Sequence, residues 1–301
     1  MKPQSILIAG ANGLIGSHLS EVLRERGHEV AHLVRKRGNS RYATYLWDTK
    51  EGRVDPKAVK NKDVIINLAG ANIGARRWTK SYKREILESR TQSTALLRRA
   101  VEDSGARPHT FISAAGISIY GTRSRPEAFT EDDPPGNDFL ADVCVQWEAA
   151  ADAFQSLGIR VVKIRTAPVL SAEGGLLKRF SGPVKWGLGA PLGSGEQIMN
   201  WIHIRDICAM YAFAIENHAL SGAYNAVAPD PVTNREFTRA VARAMKKTLF
   251  LPPVPAFVLR LALGEMASLA LEGANVSPQK IMGTGFAFEF DRLSKAMDDI
   301  F

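Results

Sequence analysis

Short apolar runs alternate with longer amphipathic stretches through the first half of the chain. Ser5–Ala9 reads as a buried strand, and Leu14–Arg26 follows with Leu14, Ile15, Leu19, Val22 and Leu23 at helical spacing. Gly27 stands just past that helix, where a C-terminus favours glycine. Glu29–Val34, Thr44–Trp47, Val64–Leu68, Thr110–Ala114 and Arg160–Ile164 read as further strands, with helices over Lys80–Glu102 and Asp138–Leu157. Strands that alternate with helices pair in parallel, so the predicted fold is α/β, a Rossmann-type doubly wound parallel sheet.

After Arg165 the rhythm breaks. Residues 171–200 are glycine-rich and read as long loops. A strand–helix pair returns over Trp201–Asn217, then a short strand at Ala223–Val227. Prolines punctuate the rest, leaving helices near Thr233–Met245 and Ala256–Leu271.

Composition narrows the class. The 301 residues are 45% hydrophobic and 23% charged, which excludes collagen-like, coiled-coil and disordered chains. No apolar run approaches the roughly 18 residues of a membrane helix. Met1–Ser5 leads into a strand and not into a signal-peptide core. Cys144 and Cys208 lie far apart with no metal-like spacing, so no metal is expected and both thiols read as structural. A cytoplasmic protein with no membrane partner is the expectation.

The net charge of +8 is unevenly placed. Residues 1–108 carry 21 basic and 11 acidic side chains, and residues 109–301 carry 18 and 20. The first third therefore favours an anion, either a nucleic acid or a phosphorylated cofactor. No nucleic-acid reader motif is present, and the basic residues are spread over other elements, so no nucleic-acid partner is expected.

The glycines after the first strand decide between them. Gly10-Ala11-Asn12-Gly13-Leu14-Ile15-Gly16 closes a strand and opens an amphipathic helix. Gly10 permits the tight turn, Gly13 lets the backbone approach a pyrophosphate, and Gly16 allows close helix–strand packing. The helix N-terminus then presents unpaired N–H groups to the phosphates. Asn12, Leu14 and Ile15 belong to the same dinucleotide-binding turn. An NAD-preferring site places Asp or Glu at the end of the second strand, to bind the ribose 2′-hydroxyl. Here that stretch reads Val34-Arg35-Lys36-Arg37, with no acid between Glu29 and Asp48. NADP(H) is therefore the predicted cofactor, with Arg35 gripping the 2′-phosphate and Lys36 beside it. The predicted layout is a cofactor domain over residues 1–168, to which 201–228 return, and a smaller substrate-side domain from 169–200 and 229–301.

The sequence resembles the extended short-chain dehydrogenase/reductases. It is most similar to their atypical epimerase-family branch, whose distant members include plastid proteins labelled as cell-division inhibitors. The resemblance rests on Ala9–Gly16, Leu33-Val34-Arg35, Asn67-Leu68-Ala69-Gly70, Arg77-Trp78-Thr79, Glu85-Ile86 with Ser89-Arg90, and Trp147-Glu148. It continues through Gly189–Gln197, Trp201–Ile204, Asn225 with Ala228-Pro229, Gly264–Met266 and Gly285-Phe286. It implies that Leu68, Ala69 and Gly70 line the adenosine and ribose side. It also implies that Glu85 and Arg90 lie near the nicotinamide ribose and phosphates, and that Val169 approaches the nicotinamide. Read without the resemblance, Glu85 and Arg90 form a surface ion pair.

The family's catalytic pattern is broken. Its members use a Tyr with a Lys four residues on, the Lys lowering the phenol's pKa for proton exchange during hydride transfer. The six tyrosines here are followed at that spacing by Leu46, Thr49, Ile86, Ser124, Ile215 and Ala228. Cys144 and Glu148 occupy the two positions. Ser113, Tyr120 and Glu148 remain as candidate polar groups for catalysis, and His203 reads as a structural histidine held by Asp206 or backbone. Two functions follow. One is an NADP(H)-dependent oxidoreductase or sugar-nucleotide-epimerase-like enzyme acting on a small molecule. The other is a non-catalytic NADP(H)-dependent sensor or regulator, linked to cell division through the resemblance.

Overall fold

The computed structural model describes residues 2–122, 125 and 127–301. The first half runs β1 (Ser5–Ala9), α1 (Leu14–Glu25), β2 (Glu29–Val34), β3 (Ala43–Asp48), β4 (Arg53–Val54), β5 (Val64–Asn67), α2 (Lys80–Ser104), β6 (Thr110–Gly116), α3 (Phe139–Asp152) and β7 (Arg160–Thr166). The second half adds β8 (Val169–Ser171), β9 (Gly174–Gly175), α4 (Leu177–Lys185), β10 (Ile198–Met199), β11 (Ile202–His203), α5 (Ile204–Glu216) and β12 (Gly222–Ala226). It closes with β13 (Val232–Thr233), α6 (Asn234–Ala244), α7 (Ala256–Leu263), α8 (Ser268–Leu271), α9 (Gln279–Met282) and α10 (Leu293–Ile300).

The main sheet has the order β12-β7-β6-β5-β1-β2-β3-β4, and only β4 runs antiparallel to its neighbour. Period-two alternation splits each central strand between two cores. Ile6 and Ile8 of β1 pack with Leu19 and Leu23 of α1 and with α5. Leu7 and Ala9 face Leu96 and Leu97 of α2 on the other side. Each of these buried aliphatic side chains contributes about 1.5–3 kcal/mol of transfer free energy. Residues 201–228 come back to this layer: α5 packs against α1, and β12 pairs with β7. The chain reverses direction in the sheet between β1 and β5, which opens a crevice at their carboxyl ends.

Three sequence readings are corrected. The stretch 171–200, read as loops, contains α4, with Gly182 and Pro183 inside the helix. Leu177, Phe180 and Val184 form an apolar stripe that packs on α6, the Phe180 and Phe237 rings meeting edge to face at 5.0 Å. Tertiary packing outweighs the helix-breaking pair. The single helix expected over Ala256–Leu271 is broken at Gly264, whose φ of 62° ends α7. The helix expected over Asp138–Leu157 stops at Asp152 and tightens into a 3₁₀ turn over Ala153–Leu157. The edge strand β4 and the terminal helix α10 carried no signal strong enough to predict. Among the described residues no helix is long and apolar enough to cross a membrane.

Candidate functional site

The crevice begins at the β1–α1 turn. Gly10 has a φ of 81°, and a Cβ there would lie 2.7 Å from the Leu68 carbonyl carbon. A Cβ on Gly16 would lie 2.5 Å from the Gly10 carbonyl oxygen. The turn is thus wedged against the end of β5 and closed to any side chain. Gly13 caps α1 in an extended conformation with no side-chain cap, and the first turn holds no acid. The orphan N–H groups of α1 therefore face the crevice with their partial positive charge uncompensated. Asn12 and Gly13 are exposed at the tip, and Leu14 and Ile15 are half-buried behind it. This cradle fits a dinucleotide pyrophosphate.

At the end of β2 the chain passes from buried Val34 to exposed Arg35 and Lys36. Arg35 borders a groove shared with Trp47, Asp48, Arg53 and Asp55. Asp48 is committed to its own turn, accepting from the backbone N–H groups of Lys50 and Glu51 at 2.9 and 3.1 Å, which hold its pKa down. Among the described residues Arg35 has no carboxylate at ion-pair distance.

On the other side of the crevice the Leu68 N–H donates to the Ala9 carbonyl at 2.9 Å, and the Ala69 N–H to the Asn67 side chain at 3.1 Å. The expected pairing of Glu85 with Arg90 is not formed. Glu85 is exposed and pairs with Arg76. Arg90 instead turns inward, donating to the Ile86 and Ala71 carbonyls at 2.8 and 3.1 Å. Its guanidinium lies 4.9 Å over the Trp147 ring, and a Cβ on Gly70 would stand 3.1 Å from its Cζ. Burial lowers its pKa, yet it remains a cation beside the Gly70 backbone. Val169 opens β8, and the β8–β9 hairpin returns to the cradle, where a Cβ on Gly175 would lie 3.4 Å from Leu14. The structure thus gathers Gly10–Gly16, Leu68–Gly70, Arg90 and Val169 around one crevice, and holds Glu85 at the surface on Arg76. Two bonds tie the loop after β5 to the second half of the chain: Arg179 of α4 donates to the Gly74 carbonyl, and Arg77 to the Leu261 carbonyl at 3.3 Å.

At the β6–α3 end of the sheet the candidate catalytic side chains are bonded to one another. Glu148 on α3 is buried and bidentate to Arg165 of β7, at 2.7 and 3.1 Å. Arg165 also donates to the Tyr120 hydroxyl at 2.9 Å, and that hydroxyl donates to Asn225 of β12 at 2.7 Å. Lys163 lies 3.4 Å from Glu148 and 2.7 Å from Asp152. Burial pushes the Tyr120 phenol up to about 12, against the pull of Arg165. Burial alone would lower the Arg165 pKa, but the hydrogen bonds and charge of Glu148 hold it above its ordinary value. Cys144, pushed up to about 12 by burial, packs as a thiol against Gly116. Ser113 is buried, and its hydroxyl donates to the Ala114 carbonyl at 2.8 Å.

Sequence reasoning missed Arg165 and Lys163, and it named Asn225 only as a position of family resemblance. A signal was present: Lys163 and Arg165 interrupt an apolar strand at spacing two, and Glu148 and Asp152 sit four apart on one helix face. His203 is structural, as read, and of its two expected partners the backbone holds it. The Asp206 carboxylate accepts from the Glu289 and Phe290 backbones, at 2.8 and 3.0 Å, and does not hold the histidine. His203 caps α5 through the Arg205 N–H and lies 3.4 Å from Asp299. Burial pushes its pKa down to about 4.

The profile of the NAD dependent epimerase/dehydratase family matches residues 6–227. The chain belongs to that family. A second profile, a domain of unknown function (DUF1731), matches residues 254–300. The epimerase family protein Mb2239 of Mycobacterium bovis is 39% identical over 293 residues, covering 97% of this chain and 96% of that protein. The epimerase family protein SDR39U1 of Mus musculus is 36% identical, covering 98% and 99%. The crystal structure of human SDR39U1 with NADPH superposes with a TM-score of 0.87 at 33% identity, over 98% of each chain. A Thermus thermophilus UDP-glucose 4-epimerase in complex with NAD, at 23% identity and a TM-score of 0.77, shares the fold.

Proposed function

We propose that the protein binds NADP(H) in the β1–β5 crevice and works as an atypical short-chain oxidoreductase of the cytoplasm on a small-molecule substrate. The observation that carries this reading is the end of β2, where Arg35 is exposed, has no carboxylate partner among the described residues, and follows a strand bearing no acid at its tip. The NADPH in the human relative's structure supports it. In this reading Gly10–Gly16 hold the pyrophosphate, Val34, Arg35 and Lys36 the adenosine 2′-phosphate, and Leu68–Gly70 the adenosine ribose side. Arg90, with two of its five N–H donors used by the protein, orients the nicotinamide ribose. Val169 and the β8–β9 hairpin cover the nicotinamide, which when bound donates or accepts hydride. Tyr120 and Glu148 serve as positioning residues, because both side chains are bonded within the protein.

A second reading, a non-catalytic NADP(H)-dependent regulator acting in cell division, is favoured by that same sealed network at the place of the missing Tyr–Lys pair. Fluorescence titration with NADPH and NADH tests the cofactor assignment. Wild type should prefer NADPH by about tenfold or more, and Arg35→Glu should lose that preference. Equal affinities in wild type would overturn it. Turnover of NADPH with any member of a broad carbonyl panel decides for the oxidoreductase, and tight binding without turnover decides for the regulator.

A further inference from the structure

The second half of the chain carries apolar side chains that none of the described residues covers. None of the residues of α7 is buried, although Ala256–Leu263 contains a single charge. Phe257 and Leu261 of this helix are 70% and 79% exposed, and Phe250 and Trp186 are 79% and 78% exposed. Leu188 projects beside Trp186. The segments bearing these side chains are strapped together: a Cβ on Gly189 would meet Leu249 at 2.8 Å, and Leu192 pairs with Val254.

The two segments that bear these side chains carry charge of one sign, with Glu173, Glu196, Glu236 and Glu265 at their borders. Residues 174–195 and 237–264 contain eight Lys and Arg and no Asp or Glu. All eight side chains are exposed, and among the described residues none has a carboxylate at ion-pair distance. The net charge of −2 over residues 109–301 conceals this region. Lys185 precedes Trp186, Lys246 and Lys247 lie just before Phe250, and Arg260 sits between Leu259 and Leu261. Large apolar side chains that project beyond their neighbours, rimmed by cations, are the pattern of a surface that enters the headgroup boundary of an anionic bilayer. A second copy fits poorly, since a two-fold contact would set this cationic face against itself. An acidic protein would need a complementary relief, whereas side chains this exposed are suited to a fluid phase.

We propose that this face is a membrane-surface docking site that lays Trp186, Phe250, Phe257 and Leu261 into an anionic bilayer while Lys185, Lys246, Lys247 and Arg260 meet the lipid phosphates. The earlier expectation of no membrane partner rested on spanning length, and surface docking requires none. The site lies beside the cofactor crevice, because Arg77 ties α7 to the loop that follows β5.

Co-sedimentation of the full chain with vesicles tests the proposal, using pure phosphatidylcholine against equal parts phosphatidylcholine and phosphatidylglycerol. Binding is expected to the anionic vesicles and to weaken as salt rises. Trp186 is the exposed one of five tryptophans, so emission should shift to the blue on binding, and Trp186→Phe should keep binding while losing the shift. Phe257→Ser and Leu261→Ser change projecting side chains and should melt as wild type does, with each losing about tenfold or more in vesicle affinity. Equal binding to both vesicle types, or serine variants that bind as wild type, would overturn the assignment. So would a wild-type dimer in light scattering that the two serine substitutions convert to a monomer, which would give the face to a second copy instead.

Discussion

The two ends of the crevice follow opposite rules. At the β1–α1 turn the polar groups are left open: α1 has no side-chain cap, its first turn holds no acid, and Arg35 has no carboxylate partner among the described residues. At the β6–α3 end the charged and phenolic groups are turned on one another, from Glu148 through Arg165 and Tyr120 to Asn225. Unpaired donors are costly unless a ligand or water completes them, so the open end is shaped for an occupant. A network already complete without a ligand is shaped for rigidity. The first end is open to a cofactor, and the second is closed on itself.

Cutting the closed network gives the largest expected effect. Arg165→Met leaves Glu148 buried without its bidentate partner, and should destabilise the fold by about 3–5 kcal/mol in urea denaturation. Adding Glu148→Gln should restore part of that loss, because the buried carboxylate, left with Lys163 at 3.4 Å, is then neutral. Arg165→Met with wild-type stability would mean that the network carries no structural load, and the contrast would fail. Next in size is Gly10→Ala at the open end. Its Cβ would stand 2.7 Å from the Leu68 carbonyl carbon at a φ of 81°, at a cost of about 1–3 kcal/mol. NADPH affinity should fall at least about tenfold as the cradle is pushed open. The two ends are separable if Arg165→Met, studied below its melting temperature, still binds NADPH while Gly10→Ala does not.

The open end was legible in the sequence and the closed end was not, for a physical reason. Binding at a strand–helix turn is local: Gly10, Gly13 and Gly16 act within seven residues, and the boundaries of β1, α1 and β2 follow from the same short pattern. Arg165, Glu148, Tyr120 and Asn225 come from four distant segments, and only the sheet order brings them together. The charges in β7 were visible, but nothing local pairs them with Glu148, which reads by itself as a candidate catalytic group. Helix α4 was hidden for the opposite reason, since a local glycine–proline signal pointed away from a helix that packing on Phe237 sustains. Of the two partners expected for His203, the local one is found, the Arg205 N–H, while the acid that reaches it, Asp299 on the last helix, is far away in sequence.

The smallest expected effect is the most direct on chemistry, because it reads the proton on Tyr120. A tyrosine that donates protons during hydride transfer needs a pKa drawn down toward neutrality by a cation. Tyr120 has a cation, Arg165, yet burial dominates and pushes it from 10 up to about 12. The sign for stability follows from the proton count. Between pH 10 and 12 the unfolded chain has released this proton and the folded chain holds it, so stability falls as pH rises through that window. Tyr120→Phe should flatten the fall without removing it, since Tyr211, Cys144 and Cys208 are also raised by burial and add slopes of the same sign. Ultraviolet difference titration of phenolate formation reads the same proton in the folded state. A phenol ionising below pH 10 in wild type and missing in Tyr120→Phe would make the closed end a working proton donor, and the contrast between the two ends would have to be withdrawn.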